Sequence, residues 1–250
     1  MIRAGSVDYA HARLWARNGR RPGEADWHRL EVVREFGALV DVARALPAFR
    51  DWIAGIGPSA DAHEVEGKLR EHWRAVVAEV AGWMPDAWRS PIAWCAALVD
   101  VPIAQYLADG GRVLPWMQRD PAHRDAAGDP PQTGALAPFA VTSRAGGNLA
   151  LAWRDEWRRR VPRDALADPA LLADLEGAFA LHFRRFGAAS IRDGWPLRRA
   201  LQARLTALFR RAMLDPAAAF VFVALCALDF ERLRGELLRR AVFPRLPLVT

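Results

Sequence analysis

The sequence predicts an all-α fold, and three observations support this prediction. Apolar residues recur at steps of three and four along most of the chain, which is the spacing of one helix face. No stretch shows the sustained polar and β-branched alternation that a half-buried strand requires. Dipeptides that commonly begin or end helices separate the periodic segments. We therefore expect a multi-helix bundle organised as two helical lobes.

Each periodic segment is one expected helix, and flanking residues mark many of the boundaries. The segments cover residues 7–18, 25–46, 61–84, 90–107, 149–161, 168–187, 197–213 and 217–240. Starts are marked by Asp61, Ser90-Pro91, Asp168-Pro169 and Asp215-Pro216, and stops by Asn18-Gly19, Pro47 and Gly110-Gly111. Asp61 is followed three residues later by Glu64, which is the pattern of a capping box.

The last segment begins with an apolar block that is too short to cross a membrane. The block runs from Ala217 to Leu228, about a dozen residues, whereas a spanning helix needs roughly 20. After Asp229 the apolar positions follow steps of three and four, as on an amphipathic helix. We expect one long helix of a soluble protein and no membrane span.

One long stretch lacks helical periodicity. Residues 110–146 are rich in proline, glycine and aspartate, and they are far longer than an ordinary connection. They are either a flexible linker or a functional loop. The expected organisation is an N-terminal helical lobe over 1–109, this linker, and a C-terminal helical lobe over 147–244.

The charge balance is basic, and arginine carries almost all of it. The chain of 250 residues has a formal net charge of +6, and Lys68 is its only lysine. One explanation is an anionic partner such as nucleic acid or phosphate. The other is a genome rich in G and C, whose codons favour arginine, and the abundance of alanine, glycine and proline favours this second explanation.

Neither the N-terminus nor the cysteines suggest secretion. The first residues are arginine-rich and lack the apolar core of a signal peptide. Cys95 and Cys226 lie in apolar helical segments and make no disulfide framework. We expect two buried thiols in a cytoplasmic protein.

The sequence contains no recognisable catalytic motif. There is no glycine-rich phosphate loop with a lysine, and none of the six histidines forms an HExxH zinc motif. His182 lies on a strongly apolar segment and could ligate haem, although a histidine held by a hydrogen bond is several times more common. We expect an adaptor or scaffold that is not an enzyme and needs no cofactor.

Residues 153–160, Trp-Arg-Asp-Glu-Trp-Arg-Arg-Arg, combine arginine with tryptophan. Such a segment can hold a nucleic-acid backbone and stack on its bases. However, Trp153 and Trp157 continue the apolar face of Leu149, so we expect both rings to point into the core. Further arginine pairs follow at Arg184-Arg185, Arg198-Arg199, Arg210-Arg211 and Arg239-Arg240.

Three segments share the pattern of a known family. They are residues 8–53, 64–109 and 220–240. The first opens with Tyr9-Ala10-His11-Ala12-Arg13, the second places Asp100 on the helix after a long helix, and the third leads from an apolar start to Leu233-Arg234. Together they resemble the V-type rotary ATPase family of C subunits, which are called d subunits in eukaryotes. The chain is about a helical lobe shorter than a usual member, and Val101-Pro102-Ile103 follows Asp100 where the family has an asparagine.

The resemblance implies a non-catalytic helical socket that seats the rotor's central stalk on the membrane ring. The bundle would then be related to the family's funnel-shaped fold of helical-hairpin repeats. Its partners would be the stalk and ring proteins, and it would be cytoplasmic and peripheral to the inner membrane, without a cofactor. Arginines on the matching segments are candidates for the partner interface or for a salt bridge between lobes. They are Arg13, Arg17, Arg232 and Arg234.

Two other functions stay open. An arginine-rich helical protein that binds nucleic acid would be retained on DNA or RNA with a steep salt dependence. An all-α enzyme with a site between the lobes, near the linker, would show a concave pocket beside an acid, base or histidine with a strongly shifted pKa.

Overall fold

The structure is a computed structural model that describes residues 6–120, 123, 139, 148–163, 167–190 and 193–243, without the side chain of Arg119. The described residues form α-helices and one 3₁₀ helix and contain no strand, so the predicted all-α class is confirmed. The α-helices are α1 (Val7–Asn18), α2 (Glu24–Glu31), α3 (Phe36–Ala45), α4 (Pro47–Arg50), α5 (Ala62–Trp83), α6 (Asp86–Ala93), α7 (Val101–Ala108), α8 (Pro115–Arg119), α9 (Leu149–Arg160), α10 (Pro169–Gly187), α11 (Gly194–Arg211) and α12 (Ala218–Val242). The 3₁₀ helix, Trp94–Val99, lies between α6 and α7.

The predicted capping box begins α5. Asp61 Oδ1 accepts hydrogen bonds from the backbone N–H groups of His63 and Glu64 at 2.8 and 2.9 Å. In return, Glu64 Oε2 accepts the Asp61 N–H at 3.0 Å. These bonds satisfy donors that a helix start otherwise leaves without partners, which explains why a local pattern located this helix correctly.

The predicted helix over 25–46 is two helices, α2 and α3. Glu35 separates them, because its carboxylate accepts the backbone N–H groups of Gly37 and Ala38 at 2.8 and 2.6 Å and so caps α3. The apolar spacing continues across this break, and glutamate is not among the favoured cap residues. The sequence therefore gave no sign that two helices form here.

The predicted helix over 90–107 also differs from the structure. α6 begins at Asp86, and Pro91 lies inside it instead of opening a helix. The chain then tightens into the 3₁₀ helix before α7 begins at Val101. A proline donates no backbone hydrogen bond, and its ring disfavours a regular helix, which agrees with this break into shorter pieces.

The predicted stop at Gly110-Gly111 is confirmed. α7 ends at Ala108, and Gly110 has a φ of 85°, a left-handed conformation that glycine adopts without strain. A Cβ atom on Gly111 would lie 2.5 Å from the ring of Tyr106. Both glycines are therefore required for the turn that follows α7.

α12 is the central helix of the described core. Its first half is buried on every side, and it packs against α11 and against α1, α3 and α5. The ring of Phe230 lies 5.8 Å from Trp73 and 5.7 Å from Trp52. The helices assigned to two predicted lobes thus share one core element. The lobe boundaries stay a prediction, and most of the predicted linker, 110–146, lies outside the described residues.

The start of α12 contains the apolar block that raised the question of a membrane anchor. In the described ranges, no single helix is both long enough and apolar enough to cross a bilayer. One pair of helices, Asp86–Val99 and Val101–Ala108, meets that test only jointly and is bent by 54°.

The two cysteines, Cys95 and Cys226, are free and buried as predicted. Burial raises the pKa of each thiol to about 12.

Candidate functional site

Two of the four predicted interface arginines, Arg232 and Arg234, join helices of the two predicted lobes. Arg232 of α12 donates hydrogen bonds to Glu31 at 2.7 Å and Glu24 at 3.1 Å. Burial lowers the pKa of Arg232, but these glutamates outweigh it and raise the pKa above its ordinary value. Arg234 donates to Glu66 of α5 at 2.7 Å. These contacts match the salt-bridge alternative and occupy both guanidinium groups.

The other two predicted arginines lie on α1. Arg17 is 3.4 Å from Asp51 and 3.6 Å from Glu79, so it also pairs within the chain. Arg13 is exposed, and its guanidinium carbon lies 5.7 Å from the ring centre of Trp83. An interface role stays a prediction for all four, and Arg13 is the one with an exposed side chain and no ion pair among the described residues.

A larger group of arginines lies on α10 and α11, outside the segments that carry the resemblance. Between residues 179 and 204 the only acidic residue is Asp193. The described arginines there are Arg184, Arg185, Arg198, Arg199 and Arg204, and Arg192 lies outside the described residues. None of the described residues from 179 to 200 is buried, and the side chain of Phe183 is 67% exposed. We call this surface, the described residues of 179–204, the basic layer.

Aromatic rings and guanidinium groups alternate from the basic layer into the body of the protein. The guanidinium carbon of Arg198 lies 4.8 Å from the ring centre of Phe186 and 5.3 Å from that of Trp195. Arg232 follows, 5.8 Å from Trp195 and 4.5 Å from Trp27. All four distances are within the range of cation–π attraction. Glutamates neutralise Arg232, whereas no described carboxylate pairs with Arg198.

His182, the histidine considered as a haem ligand, lies among the rings of this layer. Its ring centre is 5.8 Å from Phe183 and 5.4 Å from Phe186. Partial burial lowers its pKa, and the positive charge of Arg198 lowers it further, so the ring is neutral near pH 7. Throughout the described part of the chain, no group of three or more histidine, cysteine or acidic side chains could hold a metal ion.

The arginine–tryptophan segment of α9 is used within the chain. Trp157 is buried as predicted, and half-buried Trp153 exchanges hydrogen bonds with Trp94, each indole N–H donating to the other residue's carbonyl at 3.3 and 3.0 Å. Arg160 lies 4.6 Å above the Trp94 ring, and Arg158 pairs with a glutamate of α10. This segment is less available to a partner than the basic layer.

A buried ionic cluster surrounds Asp100, the residue that matches the family's aspartate. Asp100 is 1% exposed, accepts a hydrogen bond from Arg74 at 2.7 Å, and bonds to Nε2 of His123 at 2.8 Å. Nδ1 of His123 lies 3.1 Å from Asp120. Burial lowers the pKa of His123, but the hydrogen bonds and charges of the two aspartates outweigh it and raise the pKa. The cluster fastens the chain after α7 to α5.

Comparison with known proteins assigns no family to this chain. No protein-family model matches it, and no curated protein or solved structure matches it significantly. The likeness to the rotary ATPase family therefore stands only on the residues that suggested it.

Proposed function

We propose that this chain is a non-catalytic helical protein that binds an acidic protein partner through the basic layer. One observation carries the proposal: residues 179–204, on the packed helices α10 and α11, include five described arginines, a single acidic residue and exposed aromatic rings, and no described residue from 179 to 200 is buried. Arginine and aromatic side chains are enriched among the residues that dominate binding energy at interfaces. Surplus positive charge accelerates association with an acidic partner.

The partner suggested by the sequence is the central stalk or membrane ring of a V-type rotary ATPase. A part that transmits torque needs rigid packing and no reactive site. The ion pairs of Arg232 and Arg234, which join α12 to α2 and α5, agree with that requirement. In this proposal the protein is cytoplasmic and reaches the membrane only through its partner proteins.

Affinity purification tests the proposal. The tagged full chain is isolated from its native membranes, and mass spectrometry identifies the accompanying proteins. The test variant combines Arg184→Glu and Arg185→Glu, two exposed positions of the basic layer. The matched control combines Arg154→Glu and Arg159→Glu, which change the charge equally at exposed positions of α9.

We expect rotary ATPase proteins to accompany the wild type and the control but not the basic-layer variant. Their absence from the wild type, with the ATPase intact in the lysate, would exclude the rotary assembly as partner. Retention by the basic-layer variant would exclude this surface as the interface.

Nucleic-acid binding is a second candidate, because Arg198 stacks against two aromatic rings beside exposed Phe183. Exposed rings next to arginines can stack on the bases of a single strand. Fluorescence anisotropy with a labelled single-stranded oligonucleotide over a salt series tests it. Steeply salt-dependent binding that the basic-layer variant loses would favour nucleic acid. No binding at low salt would reject it.

A further inference from the structure

A cavity of about 690 Å³ opens between α5, α7, α8 and α12. Its volume is in the range of small-molecule sites, roughly 300–1,000 Å³. The walls are mainly apolar and aromatic, and they include Trp73, Ile103, Met117 and Phe230. Charged side chains lie at one part of this lining. They are Glu66, Arg70, Glu231 and Arg234.

Arg70 is a buried cation whose ion pairs are long and whose hydrogen-bonding capacity is only partly used. It is 7% exposed, and its two ion-pair contacts, with Glu66 and Asp120, are 3.6 and 3.9 Å long. Both exceed hydrogen-bond length. Nη1 is enclosed and has no hydrogen-bond partner among the described residues. Its guanidinium carbon lies 4.3 Å from the ring centre of Trp116, so the group lies over that ring.

The neighbouring Arg234 is satisfied, which singles out Arg70. Arg234 donates to Glu66 at 2.7 Å and lies 3.5 Å from Glu231. Glu66 is thus committed mainly to Arg234, and Arg70 keeps unused donors beside an apolar cavity. Two arginines and two glutamates balance the charge of the lining, so a ligand with several negative charges would meet repulsion. A single negative charge beside the guanidinium of Arg70 would offset its positive charge and could accept charge-assisted hydrogen bonds from the donors other than the enclosed Nη1.

We propose that this cavity binds an amphipathic monoanion, a small molecule with a carboxylate-type head and an apolar aliphatic or aromatic body. The head contacts Arg70, and the body lies between α7 and α12. This site is separate from the basic layer and does not depend on the proposed function.

Isothermal titration calorimetry of the full chain with decanoate tests the proposal, and 1-decanol is the uncharged probe of equal chain length. We expect saturable binding of one decanoate per chain. Decanol should bind about tenfold or more weakly, because charge-assisted hydrogen bonds to the head are lost. The absence of saturable decanoate binding, or equal affinity for the two probes, would overturn the assignment.

Two variants locate the site. Arg70→Met keeps an unbranched apolar stem but removes the guanidinium group that contacts the head, and should weaken decanoate binding about tenfold or more. Ala227→Phe places a ring in the cavity from a half-buried position and should abolish binding. Arg44→Met, an exposed arginine outside the cavity lining, should leave binding unchanged. If Arg70→Met does not fold, as judged by circular dichroism, Ala227→Phe decides alone. Undiminished binding by folded Ala227→Phe would refute the site.

Discussion

The carboxylate of Asp100 lies 2.8 Å from Nε2 of His123, and both side chains are buried. Asp100 directly precedes α7 and His123 follows α8, so the bond closes the intervening segment against the body of the fold. Asp120 faces the other ring nitrogen, and Arg70 and Arg74 face the same aspartates. The two carboxylates raise the pKa of His123 despite its burial, so the folded protein favours the charged imidazolium.

The first prediction follows from the sign of this shift. A folded-state pKa above the unfolded value means that protonated His123 stabilises the fold, fully below about pH 6.5. That contribution is lost as the pH rises through the raised folded value. We expect the urea midpoint to fall from pH 6.5 upward in the wild type and less steeply in His123→Gln. His28→Gln, on the exposed face of α2, should keep the wild-type slope, and an unchanged slope in His123→Gln would contradict the prediction.

The second prediction concerns the buried pair between Arg21 and Asp229, whose Nε and Oδ2 atoms are 2.6 Å apart. Their side chains are 13% and 7% exposed. Arg21→Met would leave the Asp229 carboxylate buried without its countercharge, at a cost of roughly 3–5 kcal/mol in the free energy of unfolding. The double variant Arg21→Met with Asp229→Leu should recover most of this loss. Urea unfolding of the two single variants and the double variant measures both effects.

The pH dependence of the stability of Arg21→Met tests whether the buried charge of Asp229 causes the destabilisation. Burial raises the pKa of Asp229, and Arg21 opposes that rise. Without Arg21 the folded pKa of Asp229 is higher still, so the cost relative to the wild type is small in acid. It grows as the pH rises above the wild-type folded pKa and is fully present above the variant's. The variant should therefore approach wild-type stability on acidification. A constant deficit at every pH would show that lost packing, rather than the buried charge, accounts for the destabilisation.

Local patterns in the sequence were enough to predict most of the fold. Asp61 and Glu64 bond each other's backbone within one turn, so their spacing alone located the start of α5. The apolar block at the start of α12 was too short to cross a membrane, and an amphipathic pattern followed it. The sequence therefore predicted one long helix here instead of a membrane span. Glu35 shows the limit of this approach, because an unusual cap divides a segment whose periodicity continues on both sides.

The candidate sites were harder to predict, because they depend on contacts between distant parts of the chain. Arg74 and His123 lie 26 and 23 positions from Asp100, and no spacing rule connects them. The arginine pairs of α10 and α11 were visible in the sequence, but not that they share an unburied surface. The cavity beside Arg70 lies between four helices, so it could be recognised only from their arrangement in the structure.

The third prediction concerns Leu214, a non-glycine residue with a positive φ of 55°. This left-handed conformation costs a branched side chain about 1–2 kcal/mol, and asparagine tolerates it better. Leu214 is 53% exposed, so its replacement removes little packing. The hydrogen bond from its backbone N–H to Nδ1 of His11 does not depend on the side chain and can be kept. We expect Leu214→Asn to raise the free energy of unfolding by roughly 1 kcal/mol. Met213→Asn, at an exposed neighbour without positive φ, should change it by no more than about 0.5 kcal/mol.

The fourth prediction uses the difference between two stacked arginines. Arg232 lies above Trp27 and bonds Glu24 and Glu31, whereas Arg198 is stacked without a described carboxylate. A lysine keeps the charge but cannot stack flat on a ring and bond two carboxylates at once. Arg232→Lys should therefore lower the free energy of unfolding by about 1–3 kcal/mol.

Arg198→Lys is the matched control, and it should cost less than about 1 kcal/mol, because only two partly exposed cation–π contacts change. Urea unfolding of both variants at low and high salt checks the comparison. The Arg232→Lys deficit should shrink little with salt, since the Arg232 side chain is 13% exposed and its partly shielded bonds are screened weakly. Equal losses in the two variants would mean that the ring contacts, and not the glutamates, fix α12 against α2.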